Sequence, residues 1–241
     1  MAKTLVEAVG RMLGKKAAQA KNAFELMGGS EEESLRAEIR LGRDMAAALL
    51  QRTALVEENE ATVFVGQIGR WLASHVKEKK LPFTVRVTAE REPNAIALPG
   101  GPIFLTWPLL ELCQGERDEL AFILGHEMGH IVRRHTLDRL VKDAALSLLL
   151  RHANGRHAAS AWLNGTGRQM LSRAFSRDQE LEADAFAATL VKSAGGDAQA
   201  GERLLEKLAQ MTSTRSAGIV GAYFATHPPF AERIANLRRP A

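Results

Sequence analysis

Two histidines and a glutamate fall within one turn of a predicted helix, inside an apolar stretch of the chain. Residues four apart lie on the same face of an α-helix, so both rings can bind one ion, at roughly 2.0–2.1 Å for zinc. Polar side chains are costly in apolar surroundings unless they have partners, so a metal site explains them better than packed core histidines do. The motif reads His126-Glu127-Met128-Gly129-His130, between Leu120–Leu124 and Ile131-Val132.

Glu127 follows the first histidine directly, so its carboxylate would lie near a water on the ion without binding the ion itself. Zinc lowers the pKa of bound water from about 15.7 to about 7, and a neighbouring carboxylate can then take a proton during attack on a carbonyl. The motif therefore predicts hydrolysis, of peptide bonds by preference, with Glu127 as general base. A short motif also arises by chance, so a further ligand is needed to support this interpretation.

The identity of the third ligand decides the class of site. A metzincin would have glycine at position 133 and histidine at position 136, whereas this chain has Arg133 and Thr136, which excludes that class. On a continuous helix, His135 would point about 140° away from the ligand face, at roughly 100° per residue. We expect His135 to be a cation at the helix end or a surface residue. The remaining candidate is an acidic residue from a second helix.

An acidic segment further along the chain supplies such a residue. Glu180 and Asp184 are four apart and share a helix face, whereas Glu182 should face water or a basic neighbour. Ala183 and Ala187 are small enough to let this helix approach the first closely. We expect Glu180 to be the third ligand, and Asp184 to accept a hydrogen bond that fixes the ring of the first motif histidine. A solvated acidic helix face is the alternative.

Four motifs stand in a fixed order along the chain. They are Asn94 to Gly101, His126 to His130, Ser176-Arg177 ahead of Glu180 and Asp184, and Thr226-His227-Pro228-Pro229 followed by Arg233. Together they resemble the CAAX prenyl endopeptidase and HtpX family of zinc metallopeptidases, which are gluzincins, and most closely its soluble BepA-like bacterial members. The resemblance covers about Leu41 to Leu237. It implies one Zn²⁺ per chain, with His126, His130 and Glu180 as ligands and Glu127 as general base.

The resemblance also implies that His227 lies near the metal. There its imidazole would stabilise the oxyanion of the tetrahedral intermediate, a role worth roughly 2.7–4 kcal/mol per well-placed donor in other hydrolases. Arg233 would orient this histidine or add positive charge. His227 could instead bind zinc as a fourth ligand and displace the catalytic water, or it could cap the helix that begins near Pro229. The sequence leaves these alternatives open.

Short strands are predicted ahead of the metal motif. Residues 84–88 alternate as a strand, residues 95–98 form another, and Pro99-Gly100-Gly101 predicts a turn before residues 103–105. These elements predict a small antiparallel sheet. The resemblance implies that the edge strand beginning at Asn94 and Ala95 holds the substrate backbone extended beside the zinc, by strand addition. An ordinary hairpin strand is the alternative.

Length and composition predict one folded domain. The chain has 241 residues, 46% of them hydrophobic, enough for a full core, and no long linker divides it. We expect residues 30–241 to form one α+β domain of the zincin type, mainly helical and with a small antiparallel sheet. Residues 1–29 are expected to form an amphipathic helical extension ahead of it. Helices are expected over three ranges: Ser30 to Val76, Gly115 to Val141 with the first two ligands, and about Gly165 to Val191 with the third.

Charge and hydropathy limit the partners and the compartment. A net charge of +4 and a pI near 9.4 would suit nucleic acid or a membrane surface, but no zinc-finger spacing, RNA-binding aromatic pattern or basic strip supports nucleic acid. The basic amphipathic stretch near the N-terminus and the apolar run at 144–150 allow peripheral membrane contact, although packing on the core is the better explanation. A single cysteine, Cys113, excludes an internal disulfide.

The sequence shows neither the apolar core of a signal peptide nor a run of about 18 apolar residues, the length needed to span a bilayer. It therefore predicts a cytoplasmic protein, or a periplasmic one if a leader is missing.

Two functional hypotheses follow from the sequence. The first is a zinc endopeptidase in protein quality control, which hydrolyses extended polypeptides that are misfolded or associated with membranes. The second is a latent or chaperone-like zinc protein, which binds polypeptides while His227 blocks the metal. All the catalytic residue types are present, which favours the first hypothesis. The sequence predicts a polypeptide substrate in both cases, but it contains no pattern that indicates the cleavage preference or the oligomeric state.

Overall fold

The computed structural model describes residues 30–77, 80–141, 174–214, 227 and 230–239. The extension expected over residues 1–29, the apolar run at 144–150 and the neighbours of His227 in its motif lie outside the described residues. Within them the chain is mainly helical, with one small sheet, as predicted. The helices are α1 Glu31–Leu50, α2 Glu60–His75, α3 Trp107–Leu112, α4 Arg117–Val132, α5 His135–Val141, α6 Arg177–Ser193, α7 Ala200–Thr214 and α8 Phe230–Leu237. The strands are β1 Thr84–Thr88, β2 Ala95–Ala97 and β3 Pro102–Thr106.

Capping boxes set the start of three helices. The side chains of Ser30, Asn59 and Ser176 each accept a hydrogen bond from a backbone N–H at the start of α1, α2 and α6, and the backbone N–H of each donates one in return to the side chain three residues on. The helices predicted over residues 30–76 are α1 and α2, separated by residues 51–59. Likewise α6 begins at Arg177, not near Gly165, because Ser176 caps it. None of the described helices has the length and apolarity needed to cross a bilayer.

The sheet is small, as predicted, but it is mixed, so the antiparallel pairing that was predicted holds for only one of its two strand pairs. Its strand order is β1-β3-β2, with β3 parallel to β1 and antiparallel to β2. The chain after β1 runs past the position of β3, so the hairpin of β2 and β3 inserts β3 between the other two strands. Gly100 and Gly101 make this hairpin turn with φ angles of 71° and 130°, which favour glycine. In the described sheet β2 is an edge strand, as expected.

Helix α4, which carries the motif from His126 to His130, lies at the centre of the core. All its residues from Glu119 to Ile131 are buried, and it packs against α2, α6, α7 and the sheet. Its approach to α6 is close because both helices present small residues there. A Cβ atom added at Gly125 would lie 3.2 Å from the Cα of Ala187, and one added at Gly129 would lie 3.2 Å from the Cα of Ala183. The prediction that these alanines allow a close approach is confirmed.

We predict that Gly125→Leu lowers the free energy of unfolding, because the new side chain must push α6 away from α4. Overpacking of this kind costs about 1–3 kcal/mol. Gly66→Ala on α2 is the matched control, since its Cβ would only contact Arg70 at 3.5 Å and should stabilise the helix by about 0.5–1 kcal/mol. Urea denaturation measures both changes, and a Gly125→Leu variant as stable as the wild type would contradict the close packing.

Cys113 should be unreactive in the folded protein. Its thiol is fully buried, and burial, reinforced by the charge of Glu119, raises its pKa to about 12. Because the thiolate is the reactive form, we expect no reaction with Ellman's reagent at about pH 8 until the chain unfolds. One thiol per chain should then react in denaturant. Rapid titration of the native protein would be inconsistent with this burial.

Candidate metal centre

Four buried side chains converge between α4, α6 and the segment ahead of α8. They are His126, His130, Glu180 and His227, each at most 1% exposed, and each offers a donor atom within 4.8 Å of the others. The two motif histidines lie one above the other on α4, as their spacing predicts. Glu180 reaches them from the first turn of α6, where Ser176 fixes the start of the helix.

The distances between these donor atoms fit one tetrahedral ion. Nε2 of His130 lies 3.1 Å from Nε2 of His126, and Nδ1 of His227 lies 3.3 Å from the same atom. Oε1 of Glu180 lies 3.5 Å from Nε2 of His130 and 2.8 Å from Nδ1 of His227. Ligand atoms at 2.0–2.1 Å from a tetrahedral zinc are roughly 3.3 Å apart. Imidazole nitrogens with one carboxylate are a donor set that zinc accepts, so the residues fit this metal.

The ionisation of the cluster also suits a cation. Burial holds the pKa of His130 well below its usual range, so this ring is neutral near pH 7. Burial alone would raise the pKa of Glu180, but the neighbouring His227, His130 and His126 outweigh burial and hold that pKa below its usual range. Metal ligands must be deprotonated, and both groups already are.

Asp184 and Arg233 support the cluster from behind. Nδ1 of His126 lies 2.9 Å from Oδ1 of Asp184, and Arg233 donates to both oxygens of that carboxylate at 2.7 and 2.8 Å. Nη1 of Arg233 also lies 3.0 Å from Oε2 of Glu180. Burial would raise the pKa of Asp184, but the guanidinium of Arg233 holds it below its usual value. These contacts place Arg233 beside the two carboxylates. The resemblance implied that Arg233 orients His227 or adds positive charge, and both roles stay predictions.

His135 is buried, and the prediction that it is a surface residue or helix-end cation was wrong. The angle of 100° per residue applies only within one helix, but α4 ends at Val132 and Arg134 has a φ of 59°. This turn brings His135 back under the site, where its Nδ1 lies 3.0 Å from Nδ1 of His130. Its Nε2 lies 3.3 Å from Oε2 of Glu182, so Glu182 faces a basic neighbour, as expected. Burial lowers the pKa of His135, against the opposing effect of Glu182.

Two further residues at the site were missed in the sequence. The ring of Phe175 stacks on His130, with centroids 3.7 Å apart and planes at 15°. The guanidinium of Arg139, on α5, lies 4.0 Å from the centroid of Phe175, on which it stacks as a cation on an aromatic ring. Arg139 lies on α5, after the turn at Arg134, and Phe175 lies just ahead of α6, so no spacing within the motif helix could predict them.

Glu127 places an unused carboxylate oxygen beside the donor cluster. The side chain is 1% exposed, and its Oε1 accepts no hydrogen bond from any described residue. Nε2 of His227 lies 3.7 Å from this oxygen. Buried polar atoms in native proteins have partners, so this oxygen indicates a water or substrate group that completes the site.

The strand β2 lies against α4 and begins at the Asn94-Ala95 pair. The backbone N–H of Asn94 donates to Oγ1 of Thr106 at 2.8 Å, and Asn94 O accepts from Thr106 N at 3.0 Å, which fixes the start of the strand. The side-chain Oδ1 of Asn94 is buried and accepts no hydrogen bond from a described residue. A second unused acceptor therefore stands at the edge of the sheet.

Comparison with known proteins gives consistent matches. The model of Peptidase family M48 matches residues 63–241. The mitochondrial metalloendopeptidase OMA1 of Schizosaccharomyces pombe is 30% identical over 181 residues, which are 73% of this chain and 52% of that protein. The beta-barrel assembly-enhancing protease of Escherichia coli K12 is 29% identical over 222 residues, 86% of this chain and 44% of that protein. The chain thus spans about half the length of these relatives.

We predict that Arg233→Met destabilises the protein, because Asp184 and Glu180 then lose a buried cation. Breaking a buried ion pair typically costs about 3–5 kcal/mol. Urea denaturation in the presence of a chelator measures the free energy of unfolding without a metal contribution. Arg36→Met is the control, because Arg36 pairs with Glu32 on the surface of α1, with side chains 66% and 62% exposed. Such a pair should change stability by less than about 0.5 kcal/mol.

The difference in free energy of unfolding between the wild type and Arg233→Met should depend on pH. The pKa of Asp184 is lowered in the folded state, so its stabilisation is complete above the unfolded value of about 3.9 and is lost as pH falls through the folded value. The difference between wild type and Arg233→Met should be full at about pH 7 and shrink toward about pH 2. Equal losses in the two arginine variants at neutral pH would refute the support that we assign to Arg233.

Proposed function

We propose that this chain, which belongs to peptidase family M48, is a zinc-dependent endopeptidase whose catalytic domain is residues 30–241. One observation carries the proposal: four buried metal-binding side chains surround one point, with the unused carboxylate oxygen of Glu127 beside them. The family match supports hydrolysis of peptide bonds and does not favour the chaperone-like alternative.

His126, His130 and Glu180 are the zinc ligands in this proposal, with one ion per chain. Two neutral imidazoles and one carboxylate leave a bound zinc with a net positive charge, which suits catalysis better than an all-thiolate site would. Zinc supplies Lewis acidity there, which makes water more acidic and polarises a carbonyl at neutral pH. Asp184 fixes the ring of His126 through Nδ1, and Arg233 fixes Asp184.

Glu127 acts as the general base. Its carboxylate would take one proton from the attacking water and give it to the nitrogen of the leaving peptide, while the other proton of the water stays on the new carboxyl group. Glu127 follows His126 on α4, so its carboxylate lies beside the donor cluster. It is not one of the four side chains whose donor atoms lie within 4.8 Å of one another. The unused Oε1 is the atom that we assign to this proton transfer.

The edge strand β2 binds the substrate backbone. Asn94 and Ala95 begin this strand, and the unused Oδ1 of Asn94 can accept a backbone N–H from an added strand. A polypeptide bound this way must be extended, which excludes chain segments inside a folded domain. Misfolded polypeptides meet this requirement, so we propose them as substrates, as in protein quality control. The cytoplasmic location and the peripheral membrane contact stay predictions from the sequence.

His227 has two roles that the geometry supports unequally. Its Nδ1 lies among the donor atoms, 2.8 Å from Oε1 of Glu180 and 3.3 Å from Nε2 of His126, which favours a fourth ligand. A histidine bound there would compete with water for the metal and hold the enzyme latent. With the ring withdrawn from the metal, its N–H would instead be available to stabilise an oxyanion.

We predict that Glu127→Gln removes casein hydrolysis while leaving zinc bound. Loss of a general base should lower kcat by roughly 10²–10⁴-fold. Glu116→Gln is the matched control, because it makes the same change at the exposed N-cap of α4 and should hydrolyse casein at the wild-type rate. If the wild type, Glu116→Gln and His227→Ala all fail to cleave casein with zinc bound, the endopeptidase proposal fails.

His227→Ala separates the two roles of this histidine in the same assay. A fourth ligand should give higher activity when it is removed, whereas an oxyanion donor should give a kcat lower by roughly 10²–10³-fold. Unchanged activity would exclude both roles.

A further inference from the structure

We propose that His135 and Glu182 position the metal ligand His130 through two consecutive hydrogen bonds that end at the protein surface. The inference rests on the metal site proposed above, and it adds two positioning residues to that site. Neither residue faces the donor cluster directly, so each acts through its neighbour.

The contacts form one continuous chain. Nδ1 of His130 lies 3.0 Å from Nδ1 of His135, and Nε2 of His135 lies 3.3 Å from Oε2 of Glu182. The chain crosses from α4 to α5 and then to α6. His135 is 5% exposed, whereas the side chain of Glu182 is 58% exposed. Both nitrogens of the buried ring therefore have a polar partner, and the last partner is solvated.

The positions of the hydrogens follow from the donor cluster. Nε2 of His130 faces the cluster, 3.1 Å from Nε2 of His126, so the hydrogen of the neutral His130 ring is on Nδ1. This N–H donates to Nδ1 of His135, which must accept. The hydrogen of His135 is then on Nε2 and donates to the carboxylate of Glu182. Each bond requires the next, so Glu182 selects the tautomer of His135, and His135 selects that of His130.

The two ligand histidines on α4 have different kinds of hydrogen-bond partner, and the cost of burying charge explains the difference. His126 is held by Asp184, a buried carboxylate whose charge is balanced by Arg233. A second carboxylate directly behind His130 would be a further buried charge, which is costly without its own cation. A neutral ring instead extends the hydrogen bonding outward, until the charge of Glu182 meets water.

Packing alone does not explain this arrangement. Phe175 already covers one face of the His130 ring, but an aromatic face cannot select which nitrogen of that ring binds metal. If His135 only filled space under the site, removing Glu182 would leave the zinc affinity unchanged. The role of Glu182 therefore separates positioning from packing.

The test is the zinc dissociation constant of the full chain, measured by competition with a chromophoric chelator. Loss of a residue that orients a ligating histidine typically weakens metal binding by about 10–100-fold, and we expect the lower part of this range for Glu182→Ala. Asp178→Ala is the matched control, because it removes an exposed carboxylate from the same helix and should leave zinc affinity unchanged.

Variants at position 135 test whether Glu182 acts through His135. His135→Leu removes the acceptor for His130 and should weaken zinc binding by about 10–100-fold. His135→Asn keeps an acceptor near the position of Nδ1 and should recover part of that affinity. Adding Glu182→Ala to His135→Leu should cause no further loss, because the two effects are coupled. Chelator-treated variants should unfold at similar urea concentrations if the role is positioning.

A measurement on the wild type decides the proposal even if the variants at position 135 do not fold. Nitrogen-15 spectra of the zinc-loaded protein should find the hydrogen of His130 on Nδ1 and that of His135 on Nε2. The opposite tautomer of His135 would overturn the proposal, as would equal zinc affinities for Glu182→Ala and Asp178→Ala. In those cases zinc still binds the wild type and only this inference fails, whereas a wild type without zinc affinity overturns the metal site as well.

Discussion

The close approach of α4 and α6 is the constraint on which the site depends. Gly125 and Gly129 face Ala187 and Ala183, so the two helices meet with no side-chain layer between them. Only at this distance can carboxylates from α6 reach imidazoles on α4. The same residues that tighten the core thus bring the donor cluster together, and the packing and the chemistry cannot be separated.

Burial of so many ionisable groups requires compensation, and the structure provides it at each step. Arg233 balances Asp184 and Glu180, the ring of His130 is neutral, and Glu182 keeps its charge in water. Among the described residues, one buried oxygen of Glu127 accepts no hydrogen bond, and it lies beside the donor cluster. A buried acceptor that has no hydrogen bond and lies beside four metal-binding side chains is suited to receive a reactant at that point.

Periodicity within single helices was predictable from the sequence, and contacts that depend on turns between helices were not. The spacing of the motif histidines and of Glu180 and Asp184 predicted the faces that meet, and the family assignment is confirmed. The roles of these residues stay predictions. His135 was misplaced because the residue at positive φ, Arg134, breaks the helix, and the parallel pairing of β1 with β3 depends on where a hairpin inserts. Neither feature has a signature in local spacing.

The central claim is that one ion is bound jointly by side chains of two helices that are far apart in sequence. X-ray absorption spectroscopy of the purified protein, combined with its metal content, tests this claim most directly. The account predicts one zinc per chain, bound only by nitrogen and oxygen atoms, and loss of one oxygen ligand in Glu180→Gln. A protein purified without chelator that contains no stoichiometric metal, or a zinc environment unchanged in that variant, would contradict it.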